Sequence, residues 1–436
     1  MEKYNEYKNS GIEWLGNIPE HWEVRRIKDS ITKIGSGVTP KGGSETYVDE
    51  GIPLIRSQNV YNDGLRLDNV SFITEEVHNK MKNSQLKPLD ILINITGASI
   101  GRTCIFPETI KTANINQHII YLRVKKRKVD YFSYYLKSNT IQEYIMNIQA
   151  GSSKEALNMS QILNIGLPFP KNEEQTQIAN YLDIKTTTID KKITLLEQKI
   201  KHYKAYRKTL INKIVTKGLD KRVKLKDSGI SWIGEVPEHW EVKRIKDIFS
   251  ISRGRAIGKT ELKDTGVYPV YSSQTKNKGI LGYINTYDFN TNLLTWTTDG
   301  VNAGTVFIRE GKFNCTNICG TLTPKKNNKL SLDYMGVAVQ QSTQHNKRID
   351  TNGAKIMSNE MAVIDIVFPP HEEQQQIANY LDAKTTIIDK IVNNIEAQIT
   401  MLKELRKTLI NEVVTGKVKV TSTSLSHQKA SNQPIV

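Results

Sequence analysis

The sequence of 436 residues lacks the features that several functional classes require. It contains only three cysteines, Cys104, Cys315 and Cys319, too few for a disulfide framework. Cys315 and Cys319 have no second ligand pair at zinc-binding spacing, so we expect buried thiols and no metal site. No run of 18 apolar residues is present, so no segment is expected to span a membrane. The polar N-terminus predicts no secretion signal, and we expect a cytoplasmic protein.

Motifs for catalysis are also missing. Residues 253–260 resemble a phosphate-binding loop, but one residue is absent between the first glycine and Gly-Lys-Thr. There is no Asn/Asp-Pro-Pro-Tyr/Phe segment of an adenine methyltransferase and no dinucleotide-binding glycine motif. His21 and His239 recur within Pro-Glu-His-Trp-Glu, where we expect them to pack beside Trp22 and Trp240. The sequence therefore predicts no catalytic centre in this chain.

An internal repeat is the most informative feature that is present. Residues 10–30 recur at 228–248 with 15 of 21 positions identical. Residues 173–190 recur at 372–389 with 15 of 18 positions identical. Since a fixed self-similarity indicates a duplicated structural unit, we interpret these segments as two copies of one scaffold.

Two inserts, residues 31–167 and 249–366, lie between the scaffold copies and are largely unlike each other. The whole chain has 61 Lys+Arg against 45 Asp+Glu, a net charge of +16, and the inserts carry +4 and +5. A lysine-rich proteome would also give a basic composition. The distribution over both inserts favours two modules that face a polyanion.

Each copy of the Glu-Glu-Gln block begins a segment with the apolar period of a long helix. The apolar positions alternate by three and four residues, and Arg207 or Arg406 fills the one skipped position. The predicted coiled-coil seam consists of Ile189, Ile193, Leu196, Ile200, Tyr203, Leu210, Ile214, Ile388, Val392, Ile395, Ile399, Leu402, Leu409 and Val413. Gly218 and Gly416 should end the helices. Two helices that each pack on their own domain are the alternative, but the matching register favours pairing of the two.

Both inserts have an α+β pattern. In the first insert, residues 90–102 predict a strand, a tight turn and a strand, residues 115–124 a further strand, and residues 131–148 an amphipathic helix. In the second insert, residues 292–307 and 316–323 are the counterparts of the hairpin and of the strand that follows. Turn loops of this kind carry binding residues on a rigid frame.

The turns of both inserts are rich in side chains that read DNA bases. Arginine and lysine bind guanine, and asparagine and glutamine bind adenine, whereas serine and threonine discriminate less. The DNA-binding candidates are Lys41, Arg56, Gln58, Thr96, Ser99, Arg102, Arg253, Arg255, Lys259, Gln274, Lys276 and Asn302. The alternative for each of them is a solvated surface position.

These segments resemble the specificity subunit (S subunit) of Type I restriction-modification systems. The resemblance rests on WLGNIPEHWEVRRIKD and its copy WIGEVPEHWEVKRIKD, on DILINITGASIGR, and on PFPKNEEQTQIANYLD and FPPHEEQQQIANYLD. It extends to about residue 420 and implies an α+β fold. Two tandem target-recognition domains would each be followed by a long helix, and the two helices would pair as an antiparallel coiled coil with pseudo-twofold symmetry.

The resemblance also implies the division of the chain. The expected parts are target-recognition domain 1 (1–167, with scaffold segment 10–30), a central helix (168–221), target-recognition domain 2 (222–366, with scaffold segment 228–248), a C-terminal helix (367–420) and a disordered tail (421–436).

By this resemblance, the chain would be a non-catalytic, sequence-specific subunit that binds double-stranded DNA. Each target-recognition domain would read one half of an asymmetric bipartite site. The helices would recruit two modification subunits, which methylate adenine at N6 with S-adenosylmethionine, and two restriction subunits, which use ATP and Mg²⁺. The chain itself would bind no cofactor and would act in the cytoplasm of a bacterium or archaeon. The alternative is a protein-interaction scaffold, built from a duplicated helix-linked module, that does not bind DNA.

Overall fold

The structure is a computed structural model that describes residues 2–148, 156–326, 329–350 and 353–421. The chain divides into two compact units. The first contains Met1–Leu196 together with Ala397–Val436, and the second contains Glu197–Glu396. Nearly all of the tail that we expect to be disordered, 422–436, lies outside the described residues.

The first unit carries two four-stranded sheets. Its strands are β1 (Tyr7–Asn9), β2 (Asn17–Pro19), β3 (Glu23–Arg26), β4 (Ile31–Ser36), β5 (Tyr47–Val48), β6 (Ile52–Ile55), β7 (Val60–Tyr61), β8 (Gly64–Leu65), β9 (Ser71–Ile73), β10 (Ile91–Asn94), β11 (Thr103–Ile105), β12 (Asn114–Ile115), β13 (Ile119–Val124) and β14 (Gly166–Phe169). Its helices are α1 (Glu75–Lys80), α2 (Val129–Lys137), α3 (Asn139–Asn147), α4 (Met159–Leu163) and the start of α5 (Asn172–Lys217). One sheet has the order β11-β10-β13-β4, and the other has the order β12-β6-β9-β5 with β12 parallel to β6.

The second unit repeats this arrangement. Its strands are β15 (Leu225–Asp227), β16 (Glu235–Pro237), β17 (Glu241–Arg244), β18 (Phe249–Arg253), β19 (Tyr268–Tyr271), β20 (Ile280–Ile284), β21 (Phe289–Asn290), β22 (Leu293–Thr297), β23 (Val306–Arg309), β24 (Lys312–Cys315), β25 (Cys319–Pro324), β26 (Arg348–Asp350), β27 (Gly353–Lys355) and β28 (Asp365–Phe368). Its helices are α6 (Ile245–Ile248), α7 (Leu332–Asn346), α8 (Ser358–Ala362), the end of α5 and the start of α9 (His371–Val414). The end of α9 belongs to the first unit.

The two inserts share a sheet topology although their sequences are largely unlike. The order β23-β22-β25-β18 repeats β11-β10-β13-β4, and the order β24-β19-β20 repeats β12-β6-β9. In both modules the same pair of strands, β6 with β12 and β19 with β24, is parallel. The predicted α+β class with two tandem modules is therefore confirmed.

The predicted helix at residues 131–148 is wrong in one respect, because it is broken into α2 and α3 at Ser138. The Ser138 backbone is extended (φ −67°, ψ 148°), and its buried hydroxyl donates to the Tyr135 carbonyl at 2.6 Å. A serine that bonds a nearby carbonyl competes with the helical pattern. The predicted strand at 115–124 is likewise divided into β12 and β13 by residues 116–118.

The two long helices are antiparallel neighbours. In the second unit, Lys204 and Arg207 of α5 contact Glu396 and Asp389 of α9, so the contacts advance along one helix as they recede along the other. Of the predicted seam, the buried positions are Ile189, Ile193, Leu210, Ile214, Ile388, Val392, Ile395, Ile399, Leu409 and Val413. Leu196, Ile200, Tyr203 and Leu402 are half-buried.

The scaffold segments lock each module onto a helix end. Trp22 and Trp240 are fully buried, and each faces the glycine that ends a long helix: Gly416 (φ +74°) beside Trp22 and Gly218 (φ +71°) beside Trp240. A Cβ on either glycine would lie within about 3 Å of an indole carbon. Both predicted helix ends are therefore confirmed, and the close packing requires glycine.

One tyrosine in each module ties its helix to the scaffold. The Tyr131 hydroxyl donates to the carbonyls of Pro168 at 2.7 Å and Val414 at 3.4 Å. Its counterpart Tyr334 donates to Val367 at 3.1 Å and, at 3.4 Å, to Val215. The first module is thus anchored to the end of α9 and the second module to the end of α5. Among the described residues, no helix has the length and apolar character needed to cross a membrane.

Candidate nucleic-acid interface

Four loops of the first module converge at the ends of its central strands. We call residues 36–41, 56–62, 95–102 and 116–118 the first loop cluster. Backbone hydrogen bonds join these loops: Gly37 donates to the Ile119 carbonyl and Ile95 to the His118 carbonyl, both at 3.0 Å. The Asn94 amide adds a link, because it donates to the Ser57 carbonyl at 2.8 Å. The loops therefore form one surface.

The second module builds an equivalent surface with different side chains. We call residues 253–259, 272–279, 298–305 and 316–318 the second loop cluster. Gly254 donates to the Cys319 carbonyl at 3.1 Å and Thr298 to the Ile318 carbonyl at 3.3 Å, which matches the bonds of Gly37 and Ile95 in the first module. The frame of the surface is therefore conserved between modules while its chemistry differs.

Gly37 and Gly254 permit the close approach of two loops in each cluster. A Cβ at Gly37 would lie 1.9 Å from the Asn116 carbonyl oxygen, and a Cβ at Gly254 would lie 1.9 Å from that of Cys315. Both neighbours are backbone atoms and cannot rotate away. Glycine is therefore required at both positions for steric reasons.

The candidates of the first module all lie on the first loop cluster, but several have structural partners. The Arg56 guanidinium donates to the Asn69 carbonyl at 3.3 Å, and that of Arg102 lies 4.9 Å from the Tyr61 ring centroid. Ser99 accepts a hydrogen bond from Asn94 at 3.1 Å, and Thr96 contacts His118. Within the described part of the chain, the exposed side chains of Lys41 and Gln58 have no hydrogen-bond or ion-pair partner.

In the second module, the two candidate arginines are held by the protein itself. The Arg253 guanidinium donates to the Ser358 hydroxyl at 3.1 Å. Arg255 pairs with Glu261 at 2.7 Å and with Asp288 at 3.1 Å. The hydrogen bond to Glu261 raises the pKa of the Arg255 guanidinium. Both arginines position the loop, and Arg255 is a weaker attractor for phosphate because two carboxylates offset its charge.

Of the other four candidates of this module, two form hydrogen bonds within the protein and two have no side-chain partner among the described residues. The Gln274 side chain donates to the carbonyl of Ile280, the first residue of β20. Asn302 is half-buried in the hairpin turn, where its carbonyl accepts from Thr305 at 3.0 Å. Lys259 and Lys276 are exposed, and their ammonium groups have no partner among the described residues. These lysines could therefore contact a phosphate.

Arg309 is a buried residue of the second module that the sequence analysis missed. Its side chain donates to the Lys278 carbonyl at 2.7 Å and to the Thr295 hydroxyl at 3.0 Å, and its guanidinium stacks on Tyr271 at 3.6 Å. Burial lowers the pKa of Arg309. The residue fixes residues 272–279, and the only sequence signal was a charge within an otherwise apolar strand.

The first loop cluster also contains a chain of polar side chains that the sequence analysis missed. The Thr39 hydroxyl lies 2.6 Å from Oε1 of Gln117, whose Nε2 lies 3.1 Å from Nε2 of His118. Nδ1 of His118 lies 2.6 Å from the Thr96 hydroxyl. Three consecutive polar residues between Ile115 and Ile119 were the available signal, because they interrupt the predicted strand.

The cysteines and the repeated histidines are structural. Cys104, Cys315 and Cys319 are free and buried, and burial raises the pKa of the Cys104 thiol to about 12. His21 lies 3.0 Å from Glu174, and His239 lies 2.6 Å from Glu373, so each histidine contacts the first turn of a long helix. Among the described residues, no cluster of His, Cys, Asp and Glu could hold a metal ion.

The sequence matches one family model, described as the type I restriction modification DNA specificity domain, at residues 19–202 and 237–401. These two ranges cover well over half of the chain. The chain belongs to this family of type I specificity subunits. The duplicated match coincides with the two modules described above.

Two relatives of this specificity subunit illustrate the range of similarity. The type I restriction enzyme MpnII specificity subunit of Mycoplasma pneumoniae is 36% identical over 192 residues, which cover 43% of this chain and 58% of the relative. A protein of Methanocaldococcus jannaschii named as the type I restriction enzyme MjaX specificity subunit is 25% identical over 423 residues, 93% of this chain and 96% of the relative. The match to the first relative thus spans little more than half of its length.

A solved structure from work on complex assembly and conformational transition of the type I restriction-modification system has the same fold. It superposes with a TM-score of 0.73 at 13% identity and covers 92% of this chain and 99% of that chain. The specificity subunit therefore has the fold that its sequence repeat predicts. As a member of a family named for DNA specificity, it has a role in DNA sequence specificity.

Proposed function

We propose that the two loop clusters read DNA sequence and that each recognises one half of an asymmetric bipartite site. The observation that carries this proposal is that the clusters have equivalent backbone frames but different side chains. Identical readers on a twofold frame would select a palindrome. Two different readers select two different half-sites.

The long helices, in this proposal, recruit two modification subunits, and two restriction subunits join the complex through them. The modification subunits carry the adenine N6-methylation with S-adenosylmethionine, and the restriction subunits supply ATP- and Mg²⁺-dependent translocation and cleavage. The specificity subunit contributes binding and orientation of the DNA. The bacterial or archaeal cytoplasm, where the chromosome is accessible, is the proposed location.

The decisive experiment is co-expression of the chain with a modification subunit, followed by mapping of methylated adenines across a genome. Exchange of residues 31–167 for the corresponding insert of another specificity subunit should change one half of the motif and preserve the other. Exchange of residues 249–366 should have the reciprocal effect. The proposal fails if neither exchange changes the motif.

Salt dependence separates this proposal from a protein-interaction scaffold. A DNA reader that neutralises several phosphates loses affinity steeply as salt rises, because counterions are released on binding. The purified complex should therefore bind a duplex with its motif far more weakly at 200 mM than at 50 mM salt. A scaffold that does not bind DNA would show no retention of the duplex at either concentration.

A further inference from the structure

Four side chains on the first loop cluster are joined by hydrogen bonds in the order Thr39, Gln117, His118 and Thr96. These bonds fix the exposed side-chain amide of Gln117. Gln117 follows Asn116, whose side chain accepts from the His118 backbone N–H at 3.3 Å and whose carbonyl accepts from Ile119 at 3.1 Å. These bonds close a tight turn that projects the Gln117 side chain. The side chains of Gln117 and Thr39 are exposed, and those of His118 and Thr96 are half-buried.

The hydrogen bonds determine which groups of Gln117 remain available. Its Oε1 accepts from the Thr39 hydroxyl, and its Nε2 donates to Nε2 of His118. Since Nε2 of His118 then acts as the acceptor, the neutral ring carries its proton on Nδ1 and donates it to the Thr96 hydroxyl. Gln117 retains one lone pair on Oε1 and one hydrogen on Nε2 for a ligand.

We propose that Gln117 reads an adenine in the half-site of the first module, with Thr39 and His118 as positioning residues. This inference rests on the proposed DNA-reading function. Adenine presents an N6 donor and an N7 acceptor side by side in the major groove. A side-chain amide with one free acceptor and one free donor complements that pair, and its fixed orientation reduces the entropy lost on binding.

Among the described residues, the second module has no equivalent of these four hydrogen-bonded side chains. The positions that correspond through the shared strand register carry Ala256, Asn317, Ile318 and Asp299 in place of Thr39, Gln117, His118 and Thr96. An alanine and an isoleucine cannot supply the hydroxyl and the imidazole. The same place on the two frames therefore presents a fixed amide in one module only, and the effect of Gln117 should be confined to one half of the motif.

The test is motif mapping with variants of the full chain in complex with its modification subunit. Gln117→Ala should reduce the preference for adenine at one position of the first half-site by roughly tenfold to a hundredfold. Gln117→Glu should shift the preference at that position towards cytosine, whose N4 amino group donates to a carboxylate. All other positions of the motif should be unchanged.

Two conservative substitutions test the positioning role of Thr39. Thr39→Val removes the hydroxyl and should weaken the adenine preference at the same motif position, but less than Gln117→Ala does. Thr39→Ser keeps the hydroxyl and should preserve that preference. Asn79→Ala, at an exposed side-chain amide on α1 outside the first loop cluster, is the matched control and should leave the motif intact. Asn317→Ala in the second module should leave the first half-site unchanged.

Two outcomes would overturn the inference. One is a wild-type motif for both Gln117 variants, and the other is an equal loss of methylation at all sequences with no change in base preference. Unaltered thermal melting of the Gln117→Ala complex establishes that it is folded. If exchange of residues 31–167 still changes the motif, the proposed function survives the failure of this inference. If that exchange has no effect, the proposed function itself is wrong.

Discussion

In the first unit, Nε of Arg406 on α9 lies 3.0 Å from Oδ1 of Asp190 on α5. The second unit contains the equivalent pair with the helices exchanged, because Arg207 of α5 lies 3.1 Å from Asp389 of α9. The arginine at the skipped position of each apolar repeat is thus explained. It occupies a seam position with its aliphatic stem and reaches a carboxylate on the partner helix.

Charge exchange tests this pair. Arg406→Asp alone should destabilise the first unit by about 0.2–1 kcal/mol, because partly exposed ion pairs contribute little and repulsion costs a similar amount. Adding Asp190→Arg should restore stability. The measurement is the urea midpoint of the full chain, and Lys407→Asp beside Glu404 on the same helix serves as the control for charge alone. Failure of the double variant to recover would contradict an interhelical role for the pair.

A buried ion pair within the first module should contribute more to stability than this partly exposed pair. Arg123 binds Asp90 through two hydrogen bonds of 2.7 and 2.6 Å, and the Asp90 side chain is 1% exposed. This contact raises the pKa of Arg123. Arg123→Met should destabilise the chain by about 3 kcal/mol, because it leaves a buried carboxylate without its cation.

Asp90→Asn added to that variant should recover part of the loss. The matched control is Lys126→Met, which removes the cation of the exposed Lys126–Glu108 pair and should change the free energy of unfolding by less than about 1 kcal/mol. Denaturant unfolding provides the comparison. Equal effects of Arg123→Met and Lys126→Met would show that burial of Asp90 is not important for stability.

Two glycines of the second loop cluster should differ sharply when alanine replaces them. Gly254→Ala places a Cβ against the Cys315 carbonyl and should destabilise the chain by about 1–3 kcal/mol while altering the second half of the methylated motif. Gly258→Ala meets only the Thr260 hydroxyl at 3.6 Å and should be tolerated. Thermal melting and motif mapping together check both. A neutral Gly254→Ala would mean that the two loops can separate without consequence.

The two scaffold tryptophans, Trp22 and Trp240, differ by one hydrogen bond. Trp240 Nε1 donates to Glu373 at 2.9 Å, whereas the buried Nε1 of Trp22 has no partner among the described residues. Both variants to phenylalanine create a cavity, but Trp240→Phe also loses the bond. It should therefore cost about 1 kcal/mol more than Trp22→Phe in denaturant unfolding. The opposite order would indicate that Trp22 has a partner in solution.

The sequence predicts the frame better than the candidate DNA-reading surface, for a physical reason. The seam from Ile189 to Ile214 and the helix ends at Gly218 and Gly416 follow from local periodicity and backbone conformation, and these are encoded by neighbouring residues. The shared topology of the inserts follows from backbone hydrogen bonds between distant strands. Those bonds impose no particular side chain, so the likeness of the two inserts is not visible in their residues.

The candidate site shows the same limit. Residue type and turn composition predicted candidates in the turns of the first insert, and all of these candidates lie on the first loop cluster. Their contact with DNA stays a prediction. Composition could not reveal that Arg255 is occupied by Asp288, which lies 33 residues away along the chain. Nor could composition predict the break at Ser138 between α2 and α3, because that break depends on a hydrogen bond from the Ser138 hydroxyl to the Tyr135 carbonyl.

The anchoring of each module to the far helix end has a consequence for synthesis. The second unit, Glu197–Glu396, is one continuous stretch of chain, whereas the first unit lacks Ala397–Val414 until all of the second unit has been made. At roughly 5–20 residues per second, the ribosome needs about 10–40 s to progress from the end of the first stretch to the start of the second. During that interval the carbonyl of Val414 and the glycine that covers Trp22 do not yet exist. The first module is therefore synthesised first but completed last. Its core remains incomplete on the nascent chain while the second module folds.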